Sequence, residues 1–340
     1  MIAPEDLEHC RNAIRHGSLS FYAASKLLPA KVRDPALALY AFCRLADDEV
    51  DEGEYQAGAV FRLQERLDAA YAGAPRNAPE DRAFAAIIEE FEMPRALPEA
   101  LLEGLAWDAG GREYHSLSDV LAYSARVASA VGAMMCVLMR VRDADALARS
   151  CDLGAAMQLT NIARDVGEDA RMGRIYLPLD WLEEKGIAPD NFLREPLPTN
   201  ELRRLVKRLL AEADRLYLRS EAGINVLPLR ARTGIWAARL IYAGIGKQLR
   251  QQGYDSISMR ARTTGAQKLG WLAQSAARTA GSLIMPTSAV IYAQPLPECA
   301  FLVDAASRPG QSTGRHSAVL DVLADLRARE QSVGRGRPLA

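Results

Sequence analysis

Gly154-Ala-Ala-Met-Gln158-Leu-Thr-Asn161-Ile-Ala-Arg164-Asp165-Val-Gly-Glu168-Asp169 decides how this chain is read. Its apolar residues continue the helical spacing of Leu147, Cys151 and Leu153, and Asp143 stands ahead of them as a cap, so one long helix is predicted. Asn161, Asp165 and Asp169 recur at i, i+4 and i+8, a polar stripe on an otherwise apolar element flanked by Gln158 and Arg164. Polar oxygens facing a core need partners. An all-oxygen donor set suits Mg²⁺, which keeps several waters and is usually completed by substrate phosphates. The competing reading is a surface helix with Arg164 paired to Glu168 one turn on.

Arg44-Leu-Ala-Asp47-Asp48-Glu49-Val-Asp51-Glu52 is a second acidic string. It closes a helix predicted from Pro35 to about 51, capped by Asp34 and carrying Ala36, Leu37, Leu39, Tyr40 and Cys43 at helical spacing. Asp47 and Asp51 share a face. Like charges so placed, at the negative end of a helix, repel one another unless a cation sits between them. The competing reading is a solvated acidic helix end. Two such faces in one helical chain suit the holding of Mg²⁺ against a diphosphate.

The rest of the chain agrees with a helical reading. Leu202 to Leu218 and Ile235 to Leu249 keep a 3.6-residue apolar period, Ser118 is placed to cap a helix through Tyr123, Val127, Val131 and Met135, and strand alternation is almost absent. The longest apolar run, Val127 to Met139, falls short of the ~20 residues a membrane span needs and reads as a buried core helix. Gly281 to Val303 is broken by Pro286, Pro295, Pro297 and Glu298. Breakers are short throughout, so residues 1–295 are expected to form one all-α domain. Residues 296–340 are expected to be a C-terminal tail, partly disordered, around a short helix near 316–329.

Composition narrows the function. The 340 residues carry 42 Lys+Arg against 43 Asp+Glu, a net charge of −1, with 49% hydrophobic residues, which excludes a largely disordered or collagen-like chain. No global basic field is available for nucleic acid, so anionic ligands must be bound locally. Five scattered cysteines without a CxxC pair read as reduced, buried thiols, and four histidines without HExxH argue against zinc. The acidic N-terminus, Met1-Ile-Ala-Pro-Glu-Asp, lacks a basic region followed by an apolar stretch, so a cytoplasmic location is expected. No strand followed by GxGxxG marks a nicotinamide site.

The chain resembles the squalene and phytoene synthases, which join two prenyl diphosphates head to head. The resemblance rests on Tyr123-Ser-Ala-Arg-Val127-Ala128-Ser129-Ala-Val131-Gly132, matching the family's YxxxVAxxxG helix, and on Gly154 through Gln158, Asn161, Arg164-Asp165, Asp169 and Arg174-Ile-Tyr176-Leu-Pro178. It extends to Ser18-Leu-Ser20-Phe21, Leu27-Leu28-Pro29, Tyr40-Ala-Phe-Cys-Arg44 and Tyr242, covering about residues 10 to 285. Within the family the chain is most like bacterial phytoene synthases, notably at Arg174-Ile-Tyr-Leu-Pro-Leu-Asp-Trp-Leu and at Gln-Gly-Tyr254-Asp before Arg260. Ala125 stands where some relatives place a second tyrosine.

The resemblance implies an isoprenoid-synthase-type helical bundle with a central active-site cavity. It implies condensation of two geranylgeranyl diphosphates through prephytoene diphosphate to phytoene, with Mg²⁺, or alternatively Mn²⁺, and without NADPH. Metal would be held by Asp47, Asp51, Asn161, Asp165 and Asp169. Arg44 and Arg164 would grip phosphate oxygens, Tyr176 and Tyr242 would stabilise cations or bond a diphosphate, and Ser18, Ser20, Tyr40, Gln158, Arg174 and Arg260 would complete substrate binding. The small residues Ala128, Ser129, Ala130, Gly132 and Ala133, with Ala155-Ala156, either leave room for prenyl tails or let helices pack closely. Alternatives are a squalene, dehydrosqualene or hydroxysqualene synthase using farnesyl diphosphate, and a non-catalytic assembly factor of the same fold. Expected partners are the two prenyl diphosphates, isoprenoid-pathway enzymes and the cytoplasmic membrane face, touched through Leu283-Ile284-Met285 or Val290-Ile291-Tyr292.

Overall fold

The computed structural model describes residues 1–51 and 56–308, with backbone alone at 51, 56 and 57. Among these residues there is no strand. The helices are α1 (Pro4–Gly17), α2 (Leu19–Ser25), α3 (Ala30–Asp51), α4 (Gln56–Tyr71), α5 (Pro79–Phe91), α6 (Ala96–Ala109), α7 (Leu117–Ser124), α8 (Ala130–Leu138), α9 (Ala144–Arg171), α10 (Leu179–Glu183), α11 (Pro189–Arg194), α12 (Asn200–Ile224), α13 (Leu229–Gln251), α14 (Gly265–Gly281) and α15 (Ala300–Ser307). A π turn, Ala125–Ser129, joins α7 to α8 in one rod. The tail helix expected near 316–329 lies outside the described residues.

The long helix α9 begins where the sequence placed it, with the Asp143 side chain accepting from the Ala146 N–H at 2.9 Å. Two other caps differ. Helix α3 starts at Ala30, where Val32 and Arg33 donate to the Pro29 carbonyl, so Pro35 lies inside the helix. There it removes one intrahelical donor and crowds the carbonyl of Lys31 one turn back, and Asp34 accepts from Arg33 Nε instead of capping. On α7 the cap is Ser116 rather than Ser118. Ser116 and Asp119 form a reciprocal capping box, two bonds where Ser118 would offer one, and the Ser118 hydroxyl turns to Glu298.

Close crossings of α9 set the frame of the bundle. A Cβ on Gly154 would lie 2.6 Å from the Ala128 carbonyl and 2.7 Å from Ser129 Cα, backbone with nowhere to yield. Ser129 donates to the Cys151 carbonyl at 2.7 Å. Both roles foreseen for small residues therefore occur, at different positions. Ser129, Ala130, Ala133, Ala155 and Ala156 are buried in packing, while Ala128 and Gly132 border a cavity. The rod Leu117–Leu138 is 22 residues long and apolar enough to cross a membrane, longer than the run read from the sequence, yet 67% of its most apolar window is buried inside the fold. All five cysteines are free, four of them buried and Cys43 half-buried.

Candidate active site

A cavity of about 730 Å³ runs through the bundle. Its wall changes character along each bordering helix. On α9 the lining passes from Ser150, Leu153, Gly154 and Met157 to Gln158, Asn161 and Arg164. On α13 it passes from Gly234, Ile235 and Ala238 to Tyr242, and on the α7–α8 rod from Met139 and Met135 back to Tyr123. Helix α3 supplies Ala36 and Leu39 inside, then Tyr40, Arg44 and Asp47. The result is a polar mouth and an apolar interior.

At the mouth the two acidic faces sit on separate helices. Asp47 borders the cavity, and the Asp51 side chain lies outside the described residues. Arg44 pairs with Asp48, its Nε 2.9 Å from Oδ2. Arg164 donates from Nε to Asp165 Oδ1 at 2.8 Å, and Arg260 reaches the same carboxylate at 2.9 Å and Glu168 at 3.0 Å. Arg164 thus pairs with its neighbour Asp165 in place of Glu168, and Glu168 is held by Arg260 from the loop. Burial and the nearby charges of Asp165 and Glu168 push the Asp169 carboxyl up to about 8, against the opposing pull of Arg174.

Helix endings place these groups. Gly173, at φ +76°, turns the chain back at the end of α9, so that Arg174 N–H bonds the Asp169 carbonyl at 2.8 Å. Gly167 faces the loop after α13. Its N–H donates to the Ser256 carbonyl at 3.1 Å, and a Cβ there would come within 2.8 Å of Ile257 Cα. That contact seats the loop which carries Arg260.

Opposite α9, Ser18 borders the cavity within hydrogen-bonding reach of Tyr242, whose hydroxyl burial pushes up to about 12. The Phe21 ring lies 5.0 Å from that of Tyr242 and 6.4 Å from that of Tyr40. Ser20 is half-buried and does not border the cavity. Asp165, Asp169, Arg174 and Tyr176 also lie outside the cavity lining; Asp165, Asp169 and Arg174 gather around the end of α9.

One central residue escaped the sequence reading. Asp108, at the end of α6, borders the cavity and accepts from the hydroxyls of Tyr123 and Tyr176, each at 2.7 Å. The rings of Tyr114, Tyr123 and Tyr176 cluster around it. Burial pushes its carboxyl up to about 6 even though both tyrosines hold it down. The available signal was a carboxylate at the negative end of a helix buried from Ala96 to Trp107, a place where an acid is unfavourable without cause.

The residues present suit a hard divalent cation. Asn161 Oδ1 is buried without a hydrogen-bond partner, and the negative charge around Asp169 exceeds what Arg174 offsets. No group of three Asp, Glu, His or Cys side chains stands at ligand spacing among the described residues. Such a set calls for a cation completed by water and phosphate oxygens, as Mg²⁺ is.

Residues 14–267 match the model of the Squalene/phytoene synthase family. The chain belongs to that family. It is 61% identical to a phytoene synthase of Cereibacter sphaeroides, over 99% of this chain and 98% of that protein. It is 59% identical to a phytoene synthase of Rhodobacter capsulatus, over 98% and 99%. Among solved structures, a dehydrosqualene synthase in complex with ligand superposes with a TM-score of 0.76 at 31% identity, over 82% of this chain and 97% of that one. The expected all-α isoprenoid-synthase bundle is therefore the fold of this family member.

Proposed function

We infer that the chain is a prenyltransferase that condenses two geranylgeranyl diphosphates head to head into phytoene. The observation that carries this reading is the paired acidic mouth on an apolar cavity, in a chain so similar along its whole length to phytoene synthases. Asp47, Asn161, Asp165 and Asp169, with Asp51, would hold Mg²⁺. The metal, when bound, neutralises charge developing on a departing diphosphate.

The chain's own residues do the rest. Arg44, Arg164 and Arg260 offer guanidinium forks to phosphate oxygens once these displace the carboxylates they now hold. Tyr242 and Ser18 supply neutral hydroxyl donors beside them. Loss of the first diphosphate leaves an allylic cation, which the double bond of the second substrate attacks. The tertiary cation so formed loses a proton as it closes to the cyclopropyl diphosphate, which then releases its own diphosphate, rearranges and loses a second proton. Val127, Val131, Met135, Leu153 and Met157 line the interior with apolar side chains, a surface that disfavours water beside the cations. Substrate and product are lipidic, and work at a membrane face, beside the enzymes that supply the diphosphate and consume the hydrocarbon, follows from that chemistry.

The test is incubation with radiolabelled geranylgeranyl or farnesyl diphosphate, with Mg²⁺ or chelator, followed by analysis of extracted hydrocarbon. A C40 product from the C20 substrate, lost with chelator and in Asp165→Asn, is expected. A C30 product from the C15 substrate alone would move the chain to the squalene side of the family. No turnover of either would overturn the enzymatic reading.

A further inference from the structure

The cavity has a depth that helix geometry measures. Along α9 its polar lining ends at Gln158, and beyond it the wall runs through Met157, Leu153 and Ser150 to Ala146 in the first turn of the helix. Gln158 and Ala146 stand twelve residues apart, which at the rise of an α-helix is about 18 Å. The rod formed by α7, the π turn and α8 gives the same depth from the facing side. It runs antiparallel to α9 in a fixed register, because a Cβ on Gly154 would meet the Ala128 carbonyl at 2.6 Å and one on Gly132 the Ser150 carbonyl at 2.9 Å. That register sets Tyr123 level with Leu159, Met135 with Leu147, and Met139 with Asp143, the cap of α9. Met139 is buried and borders the cavity, so it forms the end wall on this side.

Polar groups at this end are already engaged. The Ser150 hydroxyl pairs with the Cys136 thiol. Arg149 gives its guanidinium to Asp152 and to the carbonyls of Val290 and Ala293, and the strap so held buries Ile291, one of the residues considered for membrane contact. Nothing here is offered to a phosphate, so a prenyl diphosphate seated at the mouth brings its hydrocarbon end to Ala146 and Met139.

The length of that hydrocarbon can be compared with the wall. Three backbone bonds advance an extended polypeptide by about 3.5 Å, or about 1.2 Å per bond. An isoprene unit adds four bonds along its chain, so four units reach about 19 Å and three about 14 Å. Measured from the level of Gln158, a C20 tail ends against Ala146 and Met139. A C15 tail stops beside Arg149 and Ser150 and leaves the last turn of the wall without contacts.

We propose that Ala146 and Met139 gauge substrate length: the space between them seats the fourth isoprene unit of one tail and selects the C20 diphosphate over the C15. The gauge rests on the prenyl-diphosphate function inferred above and adds which end of the cavity reads chain length. A single methylene in an apolar pocket is worth about tenfold or more in discrimination, and the fourth unit brings five carbons.

The experiment compares kcat/KM of the full chain for farnesyl, geranylgeranyl and the C25 geranylfarnesyl diphosphate. Ala146→Leu places three carbons in the seat and is expected to lower the C20-to-C15 ratio by about tenfold or more. Met139→Ala moves the end wall back and is expected to raise the C25-to-C20 ratio by a similar factor. Ratios unchanged in both variants would overturn the proposal. So would equal losses for every substrate, which would leave the two residues a role in packing alone. Calorimetric binding of the unreactive C15 and C20 thiolodiphosphates separates the gauge from the function it rests on. Absence of turnover in the wild type would remove the function, whereas tighter binding of the C20 analogue, abolished in Ala146→Leu, would still uphold the gauge; equal affinities would overturn it.

Discussion

Arg260 donates from Nε to Oδ1 of Asp165 at 2.9 Å, closing one side of the mouth from a loop far along the chain. The pairing depends on Gly167, two residues beyond Asp165 on α9, because the loop rests its Ser256 carbonyl and Ile257 Cα on that bare backbone. Asp165 and Arg260, proposed above as metal ligand and phosphate-binding cation, are thus positioned by one helix–loop contact.

Gly167→Ala is expected to lift the loop and carry Arg260 off the mouth. The added carbon meets backbone at 2.8 Å, so the loop must shift. Overpacking of this kind costs about 1–3 kcal/mol. Steady-state kinetics should show KM for the diphosphate substrate raised roughly tenfold with a smaller change in kcat, consistent with about 1.4 kcal/mol of lost binding. An unchanged KM would mean that Arg260 does not contact substrate.

The stripe Asn161, Asp165, Asp169 was legible because its spacing is internal to one helix, and Asp143 because a cap acts within three residues. Ser118 and Asp34 misled for a related reason: a neighbour a few residues away made the better cap or start, and one sequence does not rank such rivals. Asp108, Gly167 and Arg149 were not legible. Their roles come from Tyr176, Ser256 and the carbonyls of residues 290–294, which only the fold brings near.

Asp108→Asn is expected to keep one tyrosine contact through its carbonyl oxygen and to turn the other into an amide N–H donated to the tyrosine oxygen, while removing the charge. With a carboxyl pushed up to about 6, wild-type Asp108 loses charge as pH falls through that value. If its charge helps gather Mg²⁺, the metal concentration for half-maximal activity should rise several-fold in the variant, and the wild-type requirement should climb toward the variant's below about pH 6. Identical metal titrations at pH 7.5 would remove Asp108 from that role.

Asp169 makes a prediction about stability without metal. Burial and the Asp165 and Glu168 charges push its folded carboxyl up to about 8 from an ordinary value of 3.8, so the folded state binds the proton more tightly than the unfolded chain. Stability from this group is fully present below about pH 4 and is lost as pH rises through about 8. In chelator, Asp169→Asn should therefore be more stable than wild type at pH 8, by roughly 1–3 kcal/mol after allowance for its partial exposure. Urea midpoints at pH 5 and pH 8 check this, and a gain of equal size at both would contradict it.

Arg149 is fully buried, and its guanidinium donates to the carbonyls of Val290 at 2.7 Å and Ala293 at 2.8 Å and to Asp152 at 2.7 Å. Arg219 bonds the same Asp152 oxygen at 3.1 Å and the Gln294 carbonyl at 2.7 Å. These cations strap the segment after α14 to α9 and α12. Arg149→Met leaves the Asp152 charge buried with one partner and strips the strap of its anchor, for an expected loss of about 3–5 kcal/mol. Removing the stranded charge as well, in Arg149→Met/Asp152→Leu, should recover part of that loss, because much of the cost is the unpaired carboxylate. Equal urea midpoints for the single and double variants would instead place the whole cost in the carbonyls of the strap.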